Sequence, residues 1–186
     1  MSLSPRGQRR FHLAFVTLVF ILGFSALADS IWSLNTAQAG KWWWWILLTI
    51  FVVASGRFGV KVPAMAASLS ISEVFLFSMV MMYGSELAVI TVAIDGLAVS
   101  LIRRHHHPKH IAFNLAEPAL SMWVASKIYF ALAGIPPLAV LSADTQVTIA
   151  QVVLPALALC AVYFLMNSWL NAIAMTSESG ASPFGI

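Results

Sequence analysis

Phe11 to Ala28 is almost wholly apolar, and five further apolar stretches follow it along the chain. A helix that crosses a bilayer needs about 20 mostly apolar residues, with a range of about 17–25. The six segments run over about 11–30, 42–54, 64–83, 86–102, 110–133 and 147–175. Composition points the same way: 60% of the residues are hydrophobic and 9% are charged. A soluble domain carries about 25% charged and roughly 45–50% apolar residues. Too little polar surface remains to coat a water-borne globule, so the apolar excess needs a lipid solvent. The expectation is an all-α, polytopic membrane protein with six transmembrane helices, residues 1–186 forming a single integral membrane domain.

The first segment follows Arg6, Arg9 and Arg10, as a secretory signal does. It is, however, of spanning length, whereas a signal core has only about 7–15 residues. It is therefore read as a retained first helix. The second segment, Trp42 to Ala54, is short unless its helix extends further. Ser55-Gly56-Arg57-Phe58-Gly59 with Pro63, then Gly84-Ser85, then Pro108, then Gly134-Ile135-Pro136-Pro137 mark the breaks. Ala67-Ser68-Leu69-Ser70-Ile71-Ser72 alternates apolar residues with serine, a pattern that admits an extended chain at the head of the third segment. An extended chain there has to be covered by protein, because lipid satisfies no backbone hydrogen bonds.

Placing the ten Lys and Arg residues on this threading gives an independent check. Arg6, Arg9, Arg10, Arg57, Lys61, Arg103, Arg104 and Lys109 fall on one side, Lys41 on the other, and Lys127 inside the fifth segment. This positive-inside bias puts both termini of an inner-membrane protein in the cytoplasm. The same sorting argues against nucleic acid as the partner of the net charge of +3. Trp42 to Trp45 suit a headgroup boundary, where an indole keeps its ring apolar and its N–H wet.

Arg103-Arg104-His105-His106-His107-Pro108-Lys109-His110 is the most conspicuous polar run. Adjacent side chains diverge rather than converge on a metal, so the run reads as a topogenic loop facing anionic lipid. Cys160 stands alone in an apolar stretch, with no disulfide partner and no metal spacing. There is no P-loop, no GxSxG elbow and no HExxH, so no catalytic residues, metal ligands or cofactor are assigned.

Ionisable residues inside a membrane are functional candidates, because burying a charge is costly. Asp95 and Glu117 fall at similar depth, Asn114 lies one turn from Glu117, and Asn167 and Asn171 share a face of the last helix. These five are expected to form one polar cluster inside the bundle. Glu73 is a further intramembrane acid, and Lys127 nears the outer edge, where it snorkels or pairs with Asp29 or Glu86.

Val62-Pro63, Ser68-Leu69-Ser70, the apolar helix from Val74 to Tyr83, Gly84, a second helix from Leu87 to Ile102, Arg103-Arg104 and Phe113-Asn114 form a connected pattern. Phe164-Leu165-Met166-Asn167-Ser168-Trp169-Leu170 and Ser182-Pro183-Phe184 extend it. It resembles the N-terminal membrane module of bacterial cyclic-di-GMP signalling proteins of the HD-GYP and GGDEF types. The resemblance implies a sensory or anchoring domain followed by further membrane helix and a cytoplasmic output domain, whose own catalytic residues are not in this sequence. The pattern also looks like the S component of energy-coupling-factor vitamin transporters, a six-helix bundle with an outward-facing pocket. An outer ligand pocket would draw on Trp32, Lys127, Tyr129 and Gln151, and small residues of the first helix, Ala14, Gly23, Ala26 and Ala28, would face a partner.

The sequence therefore predicts a non-enzymatic sensory or anchoring domain that works through a protein partner or a separate output domain. A transporter S component binding a small molecule, and an accessory scaffold subunit of a larger membrane complex, are the alternatives. Expected partners are the lipid bilayer and a protein or a second copy of the chain.

Overall fold

The computed structural model describes residues 5–34, 42–56, 59–61, 68–102, 107–142 and 144–179. Among them are six α-helices: α1 (Pro5–Trp32), α2 (Trp42–Ser55), α3 (Ile71–Tyr83), α4 (Ser85–Ile102), α5 (Pro108–Ala133) and α6 (Ile149–Ser179). Two three-residue strands, β1 (Gly59–Lys61) and β2 (Ser68–Ser70), pair antiparallel with Val60 opposite Leu69. The third segment is thus corrected. Its helix begins at Ile71, not near Ala64, and the serine alternation just before it is extended. Strand pairing satisfies backbone groups there that no helix would satisfy. Residues 64–67 lie outside the described part.

By length and composition, α1, α4 and α6 are long and apolar enough to cross a membrane. The expectation of six spans is met only in that coarser form. α2 and α3 are apolar but have 14 and 13 residues. At 1.5 Å per residue they reach about 20 Å, against a hydrocarbon core of about 30 Å. α5 has 26 residues but carries Asn114, Glu117 and Lys127 along its length.

α5 is the central post, touching α1, α4 and α6. Two glycines let its neighbours come close. A Cβ on Gly23 of α1 would overlap the Ala116 carbonyl, and one on Gly96 of α4 would overlap the Asn114 carbonyl. The second contact has a backbone cause. Pro118 has no amide hydrogen to give the carbonyl four residues before it, which is that of Asn114. Gly96 seats its own backbone against this freed oxygen. Along α1 the buried residues Val19, Gly23, Ala26 and Ser30 form one narrow stripe, while Phe11, Leu18, Ile21, Leu22 and Phe24 point outward. Of the small residues expected to face a partner, Gly23 and Ala26 are buried within the chain itself, whereas Ala14 and Ala28 are exposed.

Gly84 joins α3 to α4 at φ 106°, a left-handed angle that only glycine adopts cheaply. The helices then alternate in direction. His12 Nδ1 lies 2.8 Å from Ser177 Oγ, so the start of α1 and the end of α6 share one end of the bundle. Arg9, Arg10 and Lys109 are exposed at that end. Trp42, Trp43 and Trp44 are exposed at the other. The fourth indole turns inward, and Trp45 Nε1 donates to the buried Thr91 Oγ1 of α4 at 2.9 Å.

Candidate functional site: a carboxylate clasp between two helices

Glu117 faces into the bundle from α5 and is only 3% exposed. Ser121, one turn later on the same face, donates its hydroxyl to Glu117 Oε1 at 2.9 Å. Across the interface, Asn171 Nδ2 of α6 donates to Glu117 Oε2 at 3.1 Å. Asn171 Nδ2 also lies 2.9 Å from the backbone carbonyl of Asn167, one turn back, and 2.8 Å from its Oδ1, so its two hydrogens are shared among three acceptors. With its amide turned over, Asn167 instead donates its side-chain nitrogen to Glu117, 3.3 Å from Oε1 and 3.0 Å from Oε2.

Spacing explains why the helices present these groups together. Residues four apart lie on one helical face, so Glu117–Ser121 and Asn167–Asn171 form two short ladders that meet. Tyr163, two turns before Asn171, is buried within electrostatic range of Glu117, Glu73 and Asp95. The polar interior thus draws on α3, α4, α5 and α6.

The five-residue cluster is assembled only in part. Glu117, Asn167 and Asn171 meet as expected. Asn114 turns the other way and donates its Nδ2 to Ser100 Oγ of α4 at 2.9 Å. Asp95 faces the end of α2, where a Cβ on Gly56 would come within 3.0 Å of its Oδ1. That oxygen is buried and has no hydrogen-bond partner among the described residues. Azimuth about the helix axis turns both residues away from Glu117, toward Ser100 and Gly56. Ser121 belongs to the site and went unremarked, although its spacing of four from Glu117 was the available signal.

The four outer candidates do not converge. Trp32 is 91% exposed and Tyr129 is 1% exposed, its hydroxyl buried without a partner among the described residues. Gln151 Oε1 accepts from the Thr148 amide at 3.0 Å and from the Thr148 hydroxyl at 2.8 Å. This is the return half of a capping box at the start of α6, which occupies the side chain structurally. Lys127 is exposed and sits 5.6 Å from the Trp123 ring centroid, and Trp123 Nε1 donates to Asp29 Oδ2 at 2.9 Å. The expected Lys127–Asp29 pair is therefore replaced by an indole held between base and acid. Glu86, the other expected partner, accepts from Ser85 Oγ at 2.8 Å. Of the polar run after α4, Arg103 to His106 lie outside the described residues, and His107 packs edge-on to His110 at 5.6 Å.

Comparison with family models, with curated proteins and with solved structures returns no match.

Proposed function

We propose that the chain is a non-enzymatic membrane domain of sensory or anchoring type, crossing the bilayer six times with both termini in the cytoplasm. It acts through α6 on a protein partner or an output domain. The observation that carries this reading is the Glu117–Asn171 clasp, which ties the central helix α5 to the last turns of α6. With 31 residues α6 is about 46 Å long by helical rise, longer than the hydrocarbon core of about 30 Å. Its far end therefore reaches beyond the lipid, beside the start of α1 at Ser177 and His12.

The strength of the clasp suits a switchable link. Interhelical hydrogen bonds inside membranes are worth about 0.6 kcal/mol on average and up to about 1.7 kcal/mol. A coupling of about 1–3 kcal/mol shifts an equilibrium about 5–150-fold. A clasp of one such bond, or two with the Asn167 amide turned over, is firm enough to bias the position of α6, and weak enough for a bilayer change or a ligand to reset it. Sorting of Arg9, Arg10 and Lys109 to the same end supports the cytoplasmic placement of that end. Beside the short helices α2 and α3, the strands Gly59–Lys61 and Ser68–Ser70 pair with each other, so their backbone groups are satisfied as lipid surroundings require.

A chimera tests this. The full chain is fused through Ile186 to a diguanylate cyclase catalytic domain lacking its own sensor. Glu117→Gln and Asn171→Leu are each expected to change cyclase output several-fold at unchanged membrane level. Output that ignores both substitutions, in bilayers of short and long acyl chains alike, would remove the reading. A stoichiometric small molecule that co-purifies and is lost on Lys127→Met would favour the transporter S component instead.

A further inference from the structure

The Asp29–Trp123–Lys127 set lies at the opposite end from the clasp and plays no part in it. Asp29 and Lys127 are both exposed, on α1 and α5. They are not paired with each other: the indole stands between them, its N–H on Asp29 Oδ2 and its ring near Lys127 Nζ. Asp29 lies three residues before the end of α1, and Lys127 six before the end of α5. By helical rise these depths are about 5 Å and 9 Å. On the same helix faces Leu22 and Trp32 of α1 and Ala131 of α5 are exposed and apolar. An acid and a base so placed face the headgroup and glycerol level of the outer leaflet, one indole apart, each with hydrogen-bonding capacity left over.

We infer that Asp29, Trp123 and Lys127 form a binding site for the headgroup of a zwitterionic phospholipid with a primary ammonium, such as phosphatidylethanolamine. The lysine takes the phosphate and the free Asp29 oxygen takes the ammonium N–H groups, both as charge-assisted hydrogen bonds. The tryptophan holds the acid in place and sits at the depth favoured by interfacial indoles. An anionic headgroup without an amine leaves Asp29 facing like charge, and a quaternary ammonium offers it no N–H. This inference rests on the bilayer placement above, but not on signalling through α6.

Native mass spectrometry of the detergent-solubilised full chain tests it, with phosphatidylethanolamine, phosphatidylcholine and phosphatidylglycerol added singly at equal concentration. The expected result is retention of the ethanolamine lipid at least about fivefold above the other two, the ratio for one net hydrogen bond of about 1 kcal/mol. Lys127→Met and Asp29→Asn each abolish that preference, while Lys109→Met at the other end keeps it. Equal retention of the three lipids overturns the site, as does preference for phosphatidylglycerol or a preference that survives both substitutions. A dimer mass that disappears in Lys127→Met would assign the surface to a second copy and also overturn it. Carbonate extraction of the membranes before solubilisation separates the two claims: a chain that stays in the membrane without lipid preference refutes only the headgroup site.

Discussion

Glu117 shows what a buried acid does in a low-dielectric interior. Its two oxygens accept from Ser121 and Asn171, so the carboxyl group is furnished with partners on both sides of a helix–helix seam. Replacing Asn171 with Leu is expected to lower the unfolding free energy in bicelles by about 1–2 kcal/mol, the upper range for intramembrane hydrogen bonds. Glu117→Leu leaves insertion intact and also lowers stability, because it removes the Ser121 hydroxyl's acceptor and the bond from Asn171 across the seam, leaving Asn171 with Asn167 alone. A higher unfolding midpoint for Glu117→Leu would contradict this and mark the acid as kept for chemistry rather than cohesion. The acid and both asparagines were legible in the sequence, since helical rise gives depth and a spacing of four gives a shared face. The departures of Asn114 and Asp95 were not legible. Rotation about the helix axis depends on which neighbours pack where, and here Gly96 against the Asn114 backbone fixes how α4 meets α5.

Helices in this chain are positioned by small residues and by backbone breaks rather than by large side chains. Within lipid, association relies on close packing and interhelical hydrogen bonds, because the surroundings are as apolar as the side chains. Gly23→Ala and Gly96→Ala are therefore each expected to cost about 1–3 kcal/mol, the usual range for overpacking, read as a lower unfolding midpoint in the same bicelles. A midpoint at or above that of the parent chain would mean that the helices separate without loss. At the start of α6, Gln151→Ala is expected to cost about 0.5–1 kcal/mol, the low end of cap losses, and to speed hydrogen exchange at the Thr148 amide. Unaltered exchange there would leave Gln151 free for a ligand. This cap was readable as Thr148-x-x-Gln151, a sequence spacing with a mechanism. The late start of α3 was readable only as the serine alternation of Ser68 to Ser72. That pattern tells an extended chain from a helix but does not say which strand pairs with it.

At the scale of the whole molecule, the claim is a bundle whose basic end and tryptophan-rich end lie on opposite faces of a membrane. Six helices, and the meeting of the start of α1 with the end of α6, were legible because apolar run length counts helices and an even number returns the chain to the end where it began. The outer pocket was the least legible part. Trp32, Tyr129 and Gln151 lie near one end of the bundle, yet one points outward, one is sealed inside and one caps a helix. Threading can be measured directly by labelling single cysteines with a membrane-impermeant maleimide in intact bacterial spheroplasts. With Cys160→Ala as the background, the chain carries Gln8→Cys, Lys109→Cys or Ser142→Cys. The account predicts labelling at position 142 from outside, and at positions 8 and 109 only after permeabilisation. Labelling of positions 8 and 109 from opposite sides would contradict it.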